Sequence, residues 1–234
     1  MGLRRLAAFL VVPLIALGAL TAGCSDADEQ EATSQEITGV AVAGRITAAI
    51  ASIITMRADS SVTSSAEGQI TVIARSEAEI DLRAGIVTSE ASVTPEPGGD
   101  GQIEEAVVMG DRALRRQPGE AWEPSGRSLV AVALPAFEQD GDDLSLALRT
   151  IVLSATAPWI VTTDDDGATY TSDDPSTAQT LELHIDDQGH LTRIARSQPP
   201  FGSEVDDPLR VGAEIRFGDF DRTVVELPPD LPPE

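Results

Sequence analysis

Leu181-Glu182-Leu183-His184-Ile185-Asp186-Asp187-Gln188-Gly189-His190-Leu191 is the stretch that decides the fold class. Leu181, Leu183 and Ile185 alternate with Glu182 and His184, the period of a strand with one apolar and one wet face. The acidic turn ending in Gly189 sends the chain back through a returning strand over 191–195. The same alternation recurs on both sides. Toward the C-terminus, Val211, Ala213, Ile215 and Phe217 alternate with Gly212, Glu214 and Arg216. Upstream, Ile160-Val161-Thr162-Thr163 and Ala168-Thr169-Tyr170-Thr171 flank the turn Asp164-Asp165-Asp166-Gly167. Gly110-Asp111 joins Val107-Val108-Met109 to Arg112-Ala113-Leu114 as a tight hairpin. Further strands are expected over 69–74, 78–82, 85–93 and 103–109, with a loop by composition over 95–101.

Two segments break this series with helical spacing. Ile46, Ile50, Ile53 and Ile54 fall on one face of a helix within residues 40–56. Gly39 and Gly44 argue for a late start there, and the β-branched content also permits a strand. Leu144, Leu148, Ile151, Val152 and Ala155 form a second apolar stripe, with Asp142 or Asp143 placed to cap it and Pro158 to end it. Many short strands and few helices make the class α+β: a large, curved antiparallel sheet with helices covering one face. No linker divides the strand series, so one domain is expected over 37–229, with a tail over 230–234.

The N-terminus reads as an address. Arg4 and Arg5 precede an apolar run from Leu6 to Leu20, and Thr21-Ala22-Gly23-Cys24 follows. A short basic segment, about 15 apolar residues and small residues at the break form a signal-peptide pattern, 1–23. Leu20-Thr21-Ala22-Gly23-Cys24 resembles the bacterial lipoprotein lipobox. That resemblance implies lipidation of Cys24 and attachment to the extracytoplasmic face of a cell membrane through acyl chains. The chain from Cys24 onward has 211 residues and a formal charge of −25, since Arg4 and Arg5 leave a protein of −23. Residues 24–36 are expected to be an acidic, flexible tether that holds the domain off anionic headgroups.

Composition excludes several functions. The chain has 39 acidic residues against 16 basic ones, all arginine, so phosphate backbones repel it and no nucleic-acid partner is expected. A single Cys forbids an internal disulfide framework. The lack of lysine removes Schiff-base chemistry and the phosphate-loop lysine together. No nucleophile motif, dinucleotide fingerprint or zinc-protease motif occurs, so no enzyme, cofactor or metal is expected. His184 and His190 lie across a turn from each other with no third ligand, and Asp164-Asp165-Asp166-Gly167 lacks the alternation of a calcium loop. Trp122, Trp159, Tyr170 and four phenylalanines are sparse among the mature residues, so any interior is lined mainly by aliphatics. An ordinary core and a deformable acyl-chain cavity share that composition.

Three places carry a family resemblance. Val107-Val108-Met109-Gly110-Asp111 leads through Arg115 to Trp122; the quoted Leu181 to Leu191 hairpin is the second. Phe217-Gly218-Asp219-Phe220, leading to Val225 and Leu227-Pro228, is the third and reads as a closing strand. With the lipobox and the early helix, their order is similar to the LppX/LprAFG lipoproteins, whose fold resembles LolA and LolB. The resemblance implies a half-barrel with helices on its concave face and a cavity for lipid or lipoglycan, with a membrane transporter or envelope protein as partner. It places Val107, Met109, Leu148, Val152, Trp159, Leu183 and Ile215 in that cavity. The other reading is a sensor or interaction lipoprotein, with a filled core and a protein or cell-wall partner.

Overall fold

The computed structural model describes residues 33–66, 69–94, 101–200 and 208–233, and the signal segment, Cys24 and most of the 95–101 loop lie outside them. The described residues begin with strand β1 (Thr33–Ile37), so the last residues read as tether instead pair with a strand at the sheet edge. Thr and Ile in a mixed stretch supply enough extended propensity once an open edge is offered. Helix α1 (Gly39–Ala51) follows.

That helix starts at Gly39 and not late. Thr38 caps it, its side chain accepting from the Ala41 N–H at 3.3 Å. Val42, Ala43, Ile46, Ala49 and Ile50 face inward. The helix stops before Ile54 because the Asp221 carboxylate accepts the N–H groups of Ile54 at 2.7 Å and Thr55 at 3.2 Å, drawing the chain into a strand. Those same bonds hold the Asp221 carboxyl below its ordinary pKa.

Strands β2 (Thr55–Ala66), β3 (Gln69–Asp81), β4 (Ile86–Val93), β5 (Gln102–Met109), β6 (Arg112–Arg116) and the two-residue β7 (Glu123–Pro124) form a meander. The segments expected as separate strands over 69–74 and 78–82 are one long strand, β3. A bulge at Val62/Thr63 lets the long β2–β3 pair bend. Helix α2 (Leu129–Ala133), a 3₁₀ turn (Pro135–Phe137) and helix α3 (Leu144–Leu153) come next. The short α2 was not expected; Ser128 caps it and Pro135 stops it. Asp143 caps α3, accepting from Leu146 N–H at 2.9 Å. Replacing Asp143 with Ala is expected to cost about 1 kcal/mol of stability, read as a lower urea midpoint with the slope m unchanged.

Strands β8 (Trp159–Asp164), β9 (Gly167–Asp174), β10 (Gln179–Asp186), β11 (Leu191–Gln198) and β12 (Arg210–Gly218) complete one antiparallel sheet of 12 strands. Its order is β1-β8-β9-β10-β11-β12-β2-β3-β4-β5-β6-β7, and the two ends do not pair, so the sheet stays open. Phe220 to Pro228, read as part of a closing strand, lies beyond β12 and outside any strand. Helices α1 and α3 pack together; α2 rests on β3–β5, the 3₁₀ turn on β2 and β12, and α1 on β11. A helical cluster touching strands so far apart in the order requires a sheet curved around it, the α+β half-barrel expected. No helix among the described residues is long and apolar enough to cross a membrane.

Candidate functional site: an apolar recess at the mouth of the half-barrel

Five of the seven expected cavity residues meet, but they fill the space. Leu148, Val152, Trp159, Leu183 and Ile215 belong to a single core cluster, none more than 1% exposed. With Ile46, Phe137, Tyr170 and Ile194 they occupy the centre of the half-barrel. Trp159 Nε1 is buried there without a hydrogen-bond partner, with the Gly39 backbone against it.

Val107 and Met109 lie on the other side of the sheet. Ala106 and Val108 join the core, so alternation turns Val107 and Met109 outward. Val107 is nonetheless 1% exposed, because Trp122 and Pro228 cover it around a gap of about 250 Å³.

An unfilled space on the inner side lies toward one end of the β2–β5 strands. An apolar recess of about 280 Å³ opens between the inner faces of β2–β5 and the Pro135–Phe137 turn. Val62, Ala74, Ala91, Val93 and Ile103 line it, with Pro135 and Ala136 opposite. Small side chains make the room: Ala74 and Ala91 stand where larger residues would meet the 3₁₀ turn. At its floor Ser60 and Ser76, a cross-strand pair, hydrogen-bond each other at 2.7 Å while buried. That bond satisfies one hydroxyl proton and leaves acceptor capacity on both oxygens.

The rim carries two arginines and a glutamate, Glu104. Arg75 and Arg127 border the recess, and Arg127 pairs with Glu104 at 2.6 Å. On the other flank of the 3₁₀ turn, Arg196 lies over the Phe137 ring at 5.2 Å. Burial lowers the Arg196 pKa, opposed by Glu138; arginine keeps its charge regardless.

The outer face is different in kind. A larger depression of about 500 Å³ is bordered by Arg57, Asp59, Glu77, Glu90, Glu214 and Arg216, among others. Arg193 bridges Glu182 and, at 3.1 Å, Glu214, while Arg57 binds Glu77 at 2.6 Å. Burial raises the pKa of Glu214, but hydrogen bonds from Arg216 and Arg193 outweigh it and leave the group lowered. Its lining is entirely charged or hydroxyl-bearing, so the depression gives hydrocarbon no apolar wall.

The two histidines are held separately. His184 Nδ1 meets Thr192 Oγ1 at 2.7 Å, whereas His190 stacks on Phe220 and sits 3.4 Å from Asp186. Asp164 uses its carboxylate on the Asp166 N–H at 3.0 Å, an Asx turn at the hairpin tip. Sequence reasoning missed the recess because Ala, Ser and Val at strand positions carry no signature of a site.

No protein-family model matches the chain, and no curated protein matches it. Among solved structures it is similar to LprF from Mycobacterium bovis, at 11% identity over 82% of this chain and 96% of that one, with a TM-score of 0.45. It is also similar to a LolA superfamily protein from Nitrosomonas europaea, at 12% identity over 82% and 96%, TM-score 0.31. A DUF1329 family protein from Desulfovibrio piger follows at 10% identity over 80% and 93%, TM-score 0.30. The first two carry the family names that the sequence resemblance anticipated. At these identities the likeness concerns general fold alone.

Proposed function

We propose that the protein is a non-catalytic, extracytoplasmic lipoprotein, tethered to the membrane through Cys24, that binds one acyl chain of a lipid or lipoglycan. The observation that carries this reading is the recess itself: apolar walls, a mouth at the end of the half-barrel, and a rim of Arg75 with the Arg127–Glu104 pair. Its volume of about 280 Å³ falls just below the roughly 300–1,000 Å³ usual for small-molecule sites. That suits one chain or its end, not two long chains. Each buried methylene contributes about 0.8 kcal/mol, so eight to ten supply roughly 6–8 kcal/mol before the costs of association. The mixed polar rim suits a hydroxyl-rich headgroup left in water, with Arg75 available to an anionic group on it.

The filled centre favours a second reading, in which the same fold presents surfaces to a protein or cell-wall partner. One experiment separates them. Organic extraction of the purified signal-free protein, followed by mass spectrometry, is expected to yield a bound single-chain or multi-chain lipid. Ala91→Trp, which fills the recess, is expected to lower that yield at least tenfold with the thermal midpoint within a few degrees of wild type. Lipid content untouched by Ala91→Trp removes the recess from the function. A wild-type protein that carries no lipid and binds no fluorescent fatty acid favours the interaction lipoprotein.

A further inference from the structure

The outer gap beside Val107 is bordered by a distant segment of this chain, at Pro228. Beyond β12 the chain crosses the outer face and runs along β5 and β6. Pro228-Pro229-Asp230-Leu231 forms a turn closed by Leu231 N–H donating to the Pro228 carbonyl at 3.3 Å. Pro at the second position and Asp at the third suit such a turn, with the proline ring fixing its φ in advance. The turn presents Asp230 to two groups on the sheet. Arg116 forms an ion pair with one carboxylate oxygen, and Trp122 Nε1 donates to the other at 3.4 Å. The Arg116 guanidinium also stacks over the Trp122 ring at 4.3 Å and binds Glu105 at 2.6 Å, which holds the platform in place. Further along, Arg112 donates to the Pro232 carbonyl at 2.6 Å.

Two features mark this as a recognition groove and not only a packed tail. The tail is loosely seated: Asp230 is 57% exposed, so its ion pair is screened, and most of 219–233 faces solvent. The groove is also larger than its occupant, since the gap of about 250 Å³ between Val107, Thr88, Trp122 and Pro228 stays unfilled. A ligand with the same acidic turn and a bulkier apolar residue would contact more of it.

We propose that the Trp122–Arg116–Arg112 groove is a docking site for a proline-framed acidic turn from a partner protein, held closed in cis by Pro228 to Pro233. The tail acts as a latch. Its tethered effective concentration, in the millimolar range, sets the affinity a partner must exceed. Aromatic and arginine anchors of this kind are the usual centres of protein recognition. The groove lies on the opposite face from the recess, so its failure leaves the lipid reading standing, and the reverse.

The full chain carrying Asp230→Ala opens the latch without truncation. The probe is the nonapeptide of residues 226–234, Glu-Leu-Pro-Pro-Asp-Leu-Pro-Pro-Glu. Calorimetry is expected to show one peptide bound per Asp230→Ala chain, with wild type binding at least tenfold more weakly. The double variant Trp122→Ala/Asp230→Ala should lose binding, as should a peptide with Asn in place of its Asp. Circular dichroism melts of each variant, expected within a few degrees of wild type, exclude unfolding as the cause. If the Ala variant melts early, Trp122→Phe/Asp230→Ala, which keeps an aromatic face but removes the Nε1 donor, is expected to bind the peptide more weakly than Asp230→Ala, and equal binding overturns the proposal. Absence of binding to folded Asp230→Ala, or equal binding without the Trp122 ring, overturns the proposal. A wild-type dimer that Asp230→Ala abolishes assigns the groove to tails exchanged between two copies and overturns the partner reading.

Discussion

Arginine in place of Leu148 is expected to leave no cooperatively folded domain. Leu148 is 0% exposed on α3, which packs on α1, and Ala147, Ile151 and Val152 bury the same stripe. A guanidinium there has no carboxylate beside it in a cluster composed of hydrophobic residues. An unpaired buried charge costs several kcal/mol, and the larger side chain adds overpacking strain of about 1–3 kcal/mol. Domains of this size carry about 5–15 kcal/mol in all. Loss of the near-ultraviolet dichroism of Trp159 and of a sharp melt is the expected reading. The milder Leu148→Ala should remain folded and lose about 2–5 kcal/mol. If Leu148→Arg instead melts as wild type does, the centre of the half-barrel is open to solvent, and the acyl chain belongs there and not at the mouth. The resemblance alone pointed to such a cavity; with Leu148, Val152, Trp159, Leu183 and Ile215 all buried in one cluster, the charge is expected to cost the fold and not only a ligand.

What the sequence made legible follows from range of interaction. The hairpin through Asp186-Asp187-Gln188-Gly189 was readable because alternation and turn chemistry are local, and so was the Asp143 cap of α3. Strand β2 was not: Thr55–Ala66 is rich in Ser, Thr and Ala, which reads as loop until β12 and β3 bracket it. Within Ala106-Val107-Val108-Met109 every residue is apolar, so periodicity could not say which two face the helices. The covering of Val107 depends on Trp122 and Pro228 from distant parts of the chain, and Trp122 meets Asp230 across 108 residues. The recess was hidden for a related reason. Its defining property is missing volume at Ala74 and Ala91, which exists only once the 3₁₀ turn is set opposite them.

Gly167 carries the other large effect, because the acidic hairpin allows no side chain at its last turn position. Its φ is +139°, where L residues are strained, and a Cβ built on it would sit 2.1 Å from the Ile185 carbonyl oxygen and 2.8 Å from Asp186 Cα. Backbone, not a movable side chain, is in the way. Gly167 pairs with Asp164 on β8 and Asp186 on β10, so relief of the clash must open one ladder or the other. Strain and overpacking together put the cost of Gly167→Ala at about 3–5 kcal/mol. Gly110→Ala is the control: its φ is +59° but nothing lies within 4 Å of the added carbon, so only the left-handed penalty of about 1–2 kcal/mol applies. The two differ in where they act as well. Strand β1 joins the sheet only through β8, so loosening of the β8–β9 hairpin should speed amide exchange at Thr33–Ile37 as well as lower the urea midpoint. The Gly110 variant should leave that exchange unchanged. Equal midpoints for the two variants would mean that the β9–β10 ladder yields freely at Gly167, and the edge strand nearest Cys24 would then owe nothing to that turn.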